Sequence, residues 1–255
     1  MSETTVSAEA VIRCEGIAAG FGSNILFRDV TFDVKRGEVF VILGGSGCGK
    51  STLLKLMIGL VPPLAGRVTI LDTDVWATEG KARLELLKRI GVMWQQGALF
   101  GSLTLLENVE MPLAEHTSLS AAARAEVARA KLGLVGLSEA ASRLPSEVSG
   151  GMLKRAGVAR ALALDPPILF LDEPSAGLDP ITSAGLDAMI RDLSRTLGTT
   201  FVVVTHELAS ILAIGDRCIM LDKEAKGVIA EGDPRRLREE STQPTVRAFF
   251  RREAA

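Results

Sequence analysis

The apolar run Val39-Phe40-Val41-Ile42-Leu43 passes straight into a glycine-rich segment, and shorter apolar runs recur before and after it. An unbroken run of this length, closed by turn residues, reads as a strand buried on both faces, as parallel strands are under covering helices. Residues 11–43 as a whole read as short strands, with turn signals at Gly20-Phe21-Gly22-Ser23-Asn24 and Lys35-Arg36-Gly37-Glu38. A helix is expected over 49–59; Pro62-Pro63 and Gly66 stop it before a strand over 67–71. Between residues 95 and 149 the character turns helical, with few β-branched positions: one segment over 103–113, another from Ser120-Ala121-Ala122-Ala123 onward. From Ser149 the chain returns to alternation: helix, strand at 168–171, helix 180–197, strand 200–204, helix 207–213, strands near 218–221 and 227–231, and a helical tail. This order predicts an α/β fold whose strand ends carry Gly44, Gln95, Asp172 and His206 along one rim, where ligands bind in parallel sheets.

The chemistry lies at those strand ends. Gly44-Gly45-Ser46-Gly47-Cys48-Gly49-Lys50-Ser51-Thr52 has the spacing G-x-x-x-x-G-K-S. Glycines at those positions let successive backbone N–H groups face one concavity, and the helix beginning near Gly49 adds its positive end. The pattern calls for a phosphate chain, with Lys50 reaching the β- and γ-phosphates and Ser51 a ligand of Mg²⁺. Ile168-Leu169-Phe170-Leu171-Asp172-Glu173 is a buried strand delivering two carboxylates at its tip. Upstream, Val148-Ser149-Gly150-Gly151-Met152 opens an alanine-rich helix, with Ser149 a natural N-cap and two glycines permitting close approach.

Together and in this order these segments resemble the P-loop, Walker B strand and signature motif of ATP-binding cassette (ABC) ATPases, over residues 11–240. Gln95, after Ile90-Gly91-Val92-Met93-Trp94, is similar to the Q-loop glutamine; it is preferred to Gln96 because Leu99-Phe100 then falls at the family distance. Ser175-Ala176-Gly177-Leu178-Asp179-Pro180 resembles the D-loop, Val202-Val203-Val204-Thr205-His206 the strand of the switch histidine, and Phe21 the aromatic that stacks on adenine. The resemblance implies a P-loop NTPase core with an antiparallel β subdomain and an inserted α-helical subdomain. Its divisions would be a flexible 1–10, a core of 11–95 and 149–240, a helical subdomain of 96–148 facing a permease, and a tail of 241–255. It also implies roles: Ser51, Gln95 and Asp172 on Mg²⁺, Glu173 polarising water, His206 on the γ-phosphate. Ser149, Gly150 and Gly151 would complete the ATP site of a second subunit, so the active species would be a homodimer with two ATP. A carboxylate of ordinary pKa near 4.3 is a weak base, so Glu173 must act through position and desolvation.

Composition sets limits. The 255 residues carry 29 basic and 31 acidic side chains, a net charge of −2, which gives no electrostatic case for nucleic acid or an anionic membrane surface. No apolar run approaches the roughly 18 residues of a membrane span, and Met1-Ser2-Glu3-Thr4-Thr5 lacks the features of a signal peptide, so the chain is expected to stay in the cytosol; the resemblance implies that a permease holds it, as a peripheral protein, on the cytoplasmic face of the inner membrane. Three cysteines without C-x-x-C spacing argue against zinc. Cys48 is expected to be reachable by thiol reagents and protected by ATP, with Cys14 and Cys218 as core residues. Phe249 and Phe250 are expected to dock the tail on protein. A single cassette without its own span favours the energy-coupling subunit of a transporter over a DNA-repair or translation ATPase, while a GTPase or helicase leaves Val148 to Gly151 and His206 unexplained. Met152 and Gln95-Gln96-Gly97-Ala98-Leu99-Phe100 resemble the ATPases of maintenance-of-lipid-asymmetry (Mla) and Mce-associated lipid transporters. Val148 and Trp94 depart from that pattern conservatively. The resemblance implies phospholipid cargo, an integral-membrane permease and lipid-binding periplasmic components; the alternative is a transporter for amino acids, metals or other small solutes.

Overall fold

A computed structural model describes residues 9–22, 24–95 and 97–252; residues 1–8 of the expected flexible N-terminus, Ser23, Gln96 and the last three residues lie outside the described residues. The chain opens with β1 (Ala10–Phe21), β2 (Asn24–Lys35), β3 (Val39–Gly44), helix α1 (Lys50–Met57), β4 (Ala65–Ile70), β5 (Thr73–Asp74), α2 (Gly80–Leu87) and β6 (Ile90–Met93). Helices α3 (Leu105–His116), α4 (Ala121–Leu134) and α5 (Gly150–Ala161) precede β7 (Ile168–Asp172), α6 (Pro180–Leu197), β8 (Thr200–Val204) and α7 (Leu208–Ile214). The chain closes with β9 (Arg217–Asp222), β10 (Gly227–Gly232), α8 (Pro234–Glu240) and α9 (Pro244–Arg251).

Two sheets form. One is antiparallel, in the order β2-β1-β4-β5; the other runs β10-β9-β3-β8-β7-β6, parallel except where β10 pairs with β9. Every residue of β3, β7 and β8 is buried. Alternate side chains of these strands feed different cores, as the two-residue period of a strand requires. Phe40, Ile42, Phe170, Val202 and Val204 join α1 and the antiparallel sheet. Leu169, Leu171, Phe201 and Val203 meet Leu105, Val109, Leu113, Ala128 and Leu132 of the inserted helices. The helical insertion therefore has no core of its own; it shares one with the sheet that carries the rim.

Local chemistry fixes the helix ends. Thr104 and Glu107 form a reciprocal capping box at the start of α3, and Asp179 accepts from the N–H groups of Ile181 and Thr182 at the start of α6, which Gly198 ends in the left-handed region. Helix α2 has neither signal. It follows Glu79 without a side-chain cap and buries Leu86 alone, so nothing in its pattern announces a helix.

Candidate functional site

Strand register brings the predicted rim together. Asp172 pairs with Val204, Met93 with Leu171, and Gly44 with Leu221. Gln95 and His206 each follow two residues beyond a strand end on the same side. A cavity of about 670 Å³ opens there, walled by Gly44, Gly45, Ser46, Gly47, Gly49, Lys50 and Ser51, with Gln95, Glu173 and His206 opposite.

The loop conformation requires its glycines. Gly44 has φ +147°, and a Cβ on it would fall 2.3 Å from the Leu221 carbonyl O and 2.8 Å from Cys48 Sγ. Gly49, at φ +100°, precedes α1 with no side-chain cap, so the first N–H groups of that helix remain available to an anion. Lys50 Nζ donates to the carbonyl oxygens of Gly44 and Gly45 at 2.9 and 3.1 Å, folded over the loop it would exchange for phosphate oxygens.

Behind the cavity wall Ser51 Oγ donates to Asp172 Oδ1 at 3.4 Å. Burial, then the neighbouring Glu173, push the Asp172 carboxyl above its ordinary value, against the pull of Ser51, Lys55 and Lys50. A divalent cation would reverse that balance. The donor set fits Mg²⁺: a hydroxyl, a carboxylate and the Gln95 amide are hard oxygen ligands of the kind it takes alongside phosphate oxygens. Glu173 sits in the left-handed region, φ +49°. Its Oε1 is 2.7 Å from His206 Nδ1, and its buried Oε2 has no hydrogen-bond partner among the described residues.

Some expected residues stand elsewhere. Phe21 is 60% exposed at the end of β1 and is not on the cavity wall; Leu26 of β2 is the apolar hairpin residue that is. Cys48 turns inward from the phosphate loop, 1% exposed, which corrects the expectation of an accessible thiol: the loop's concave side is lined by backbone, so its side chains point the other way. Thr52 lies half-buried one residue beyond the wall. Ser149 and Gly150 are exposed, Ser149 capping α5 by accepting from Met152 N at 3.3 Å, and Gly151 packs so tightly that a Cβ would meet Thr182 Cγ2 at 2.4 Å. None of the three is among the described residues that wall this chain's cavity.

Two contributions were not legible in the sequence. Phe249 and Arg252 of the tail line the cavity. Lys154 of α5, next in sequence to Arg155, is buried and donates to the carbonyl oxygens of Gln95 and Glu173.

A phosphate-binding loop, a tip carboxylate pair and a switch histidine on one parallel sheet define a nucleotide-hydrolysing cassette. The family profile described as "ABC transporter" matches residues 27–176, and the chain belongs to that family. It is an ATP-hydrolysing subunit of the class that drives transport. The chain is 42% identical over 94% of its length to the probable ribonucleotide transport ATP-binding protein mkl of Mycobacterium leprae, spanning 68% of that protein. It is 38% identical to the intermembrane phospholipid transport system ATP-binding protein MlaF of Escherichia coli K12, over 90% of this chain and 84% of MlaF. Among solved structures, the dimeric post-hydrolysis state of the ATP-binding cassette MJ0796 bound to ADP and Pi superposes with a TM-score of 0.77, at 32% identity over 87% of this chain and 98% of that one. The cbiO1 protein of Clostridium perfringens, part of the ABC transporter complex cbiONQ, superposes with a TM-score of 0.83 at 26% identity, over 91% of this chain and 92% of that one.

Proposed function

We propose that this chain powers phospholipid movement through an integral-membrane permease, as a homodimer closing on two ATP. The observation that carries the reading is its 38% identity to the phospholipid transport protein MlaF over most of both chains. The Met152 and Gln95–Phe100 patterns support it.

The residues divide the work by position. Phosphoryl transfer needs little covalent help, so placement and charge account for most of the effect. Lys50 and the loop N–H groups hold the phosphates; Phe21, exposed at the end of β1 and outside the cavity wall, would stack on adenine only where the base reaches past Leu26. Ser51, Gln95 and Asp172 would hold Mg²⁺, which would supply neutralisation of phosphate charge when bound. Glu173 orients the attacking water, and His206, tethered to it, contacts the γ-phosphate. Ser149, Gly150 and Gly151 reach the partner subunit's nucleotide. The core is residues 11–95 and 149–240; the helical segment 96–148 faces the permease, and 241–255 forms the tail. In this reading the protein works on the cytoplasmic face of the inner membrane, with lipid-binding periplasmic components in the same system.

A second reading, transport of a soluble solute, is favoured by the 42% identity to a protein named for ribonucleotide transport. Reconstitution with candidate permeases in phospholipid vesicles separates the two. ATPase stimulation by a lipid permease alone supports the first; stimulation only by a solute permease with its soluble ligand supports the second.

A further inference from the structure

Lys154 is 7% exposed on the second turn of α5, where Gly151, Ala156, Gly157 and Val158 are buried beside it. An ammonium removed from water is costly unless its protons are donated to good acceptors. Its two acceptors come from distant parts of the chain: Nζ donates to the Gln95 carbonyl O and, at 3.3 Å, to the Glu173 carbonyl O. Desolvation lowers the Lys154 pKa, and the nearby carboxylates of Glu173, Glu207 and Asp172 oppose that.

The Glu173 peptide is the part of this site that most needs holding. At φ +49° a residue with a side chain is strained. Its N–H donates to Val204 O at 2.8 Å, which ties it to β8. Its carbonyl accepts from Ala176 N at 3.2 Å, within the same turn, and from Lys154. The lysine is the bond that joins this carbonyl to another helix and, through Gln95, to the segment after β6.

We propose that Lys154 is a positioning residue that clamps the backbones of Gln95 and Glu173 to α5, so that movement of the segment after β6 is felt at the carboxylate that orients water. The proposal rests on the reading of Glu173 given above. It also joins the site to the helix whose first residues, from Ser149, face the second subunit in that reading. Two carbonyls and one ammonium make the coupling short: no side chain of Gln95 or Glu173 takes part in it.

The test uses the full chain with Lys154→Met, which keeps the stem and removes the donors, and Lys154→Arg, which restores donors and charge. Backbone hydrogen exchange read by mass spectrometry should rise about tenfold or more in peptides covering residues 94–100 and 173–178 together in the Met variant, and return toward the parent in the Arg variant. With ATP and Mg²⁺, kcat should fall about tenfold or more in the Met variant while KM changes less than about threefold. Exchange that rises in one segment only, or in neither, overturns the clamp. So does a loss of kcat that tracks a fall in melting temperature and is not recovered by Arg. If the Met variant does not fold, Lys154→Gln carries the same comparison. Glu173→Gln run in parallel separates the two claims: near-parent turnover there rejects the reading of Glu173, while the exchange data still decide the clamp.

Discussion

His206 Nδ1 lies 2.7 Å from Glu173 Oε1, while Oε2 of the same carboxylate is buried without a hydrogen-bond partner among the described residues. One oxygen is thus committed to the histidine, and the other is the one that orients the attacking water in the reading proposed above. Glu173→Gln keeps the shape and removes the charge that orients the water, so turnover should fall by about 10²–10⁴-fold. ATP binding, governed by the loop and α1, should stay near the parent value, and the ATP-bound dimer should accumulate on size-exclusion chromatography. Turnover near the parent rate would exclude Glu173 as the catalytic carboxylate.

Asp187 of α6 gives a pH signature. It is 4% exposed, its Oδ1 has no hydrogen-bond partner among the described residues, and burial, offset by Ser210 and reinforced by Glu207, raises its pKa from the ordinary 3.8 to about 6. The folded chain therefore holds this proton more tightly than the unfolded chain. The group's contribution to stability is fully present below about pH 4, is lost as pH rises through about 6, and is constant above that. The loss amounts to about 3 kcal/mol at most. Asp187→Asn should remove this slope, so urea unfolding at pH 4.5 and pH 7.5 should show the variant gaining on the parent at the higher pH. Equal differences at the two pH values would mean that Asp187 is ionised in the fold.

How much was legible in the sequence depended on whether a signal was periodic. Strands β3, β7 and β8 are apolar at every position because both faces are covered, and their runs were readable for that reason. The rim followed, since parallel strands must end together. Helix α2 escaped because it packs through Leu86 and has no cap signal. The orientation of Cys48 and the reach of Lys154 depend on where side chains point across the fold, which spacing does not encode. The expected tail was readable from its paired phenylalanines, but its place on the cavity wall was not.

Cys48 should resist thiol reagents in the native protein. Its Sγ is packed toward Gly44, and burial raises its pKa against the pull of Lys50, so little thiolate forms and less is reachable. Maleimide labelling near neutral pH should be slow with or without ATP and fast in denaturant. Rapid native labelling that ATP suppresses would restore the exposed orientation expected from the loop sequence.

The tail should carry both stability and ligand affinity, through different residues. Val246 and Phe250 of α9 pack with Ile211, Cys218 and Met220, and Phe250 is 4% exposed. Phe249 stands edge-on to Phe250, with ring centroids 5.5 Å apart, and turns to the nucleotide cavity with Arg252. Phe250→Ala opens a gap in that core and should cost about 3 kcal/mol. Phe249→Ala, on the half-buried face, should cost less in stability but change ATP affinity, because it removes part of the wall. Deleting residues 245–255 should do both. Thermal unfolding and an ATP binding isotherm on the three variants decide it: the two effects separate by residue if α9 is docked as the structure places it, and a deletion that changes neither would mean the tail takes no part in the fold or the site.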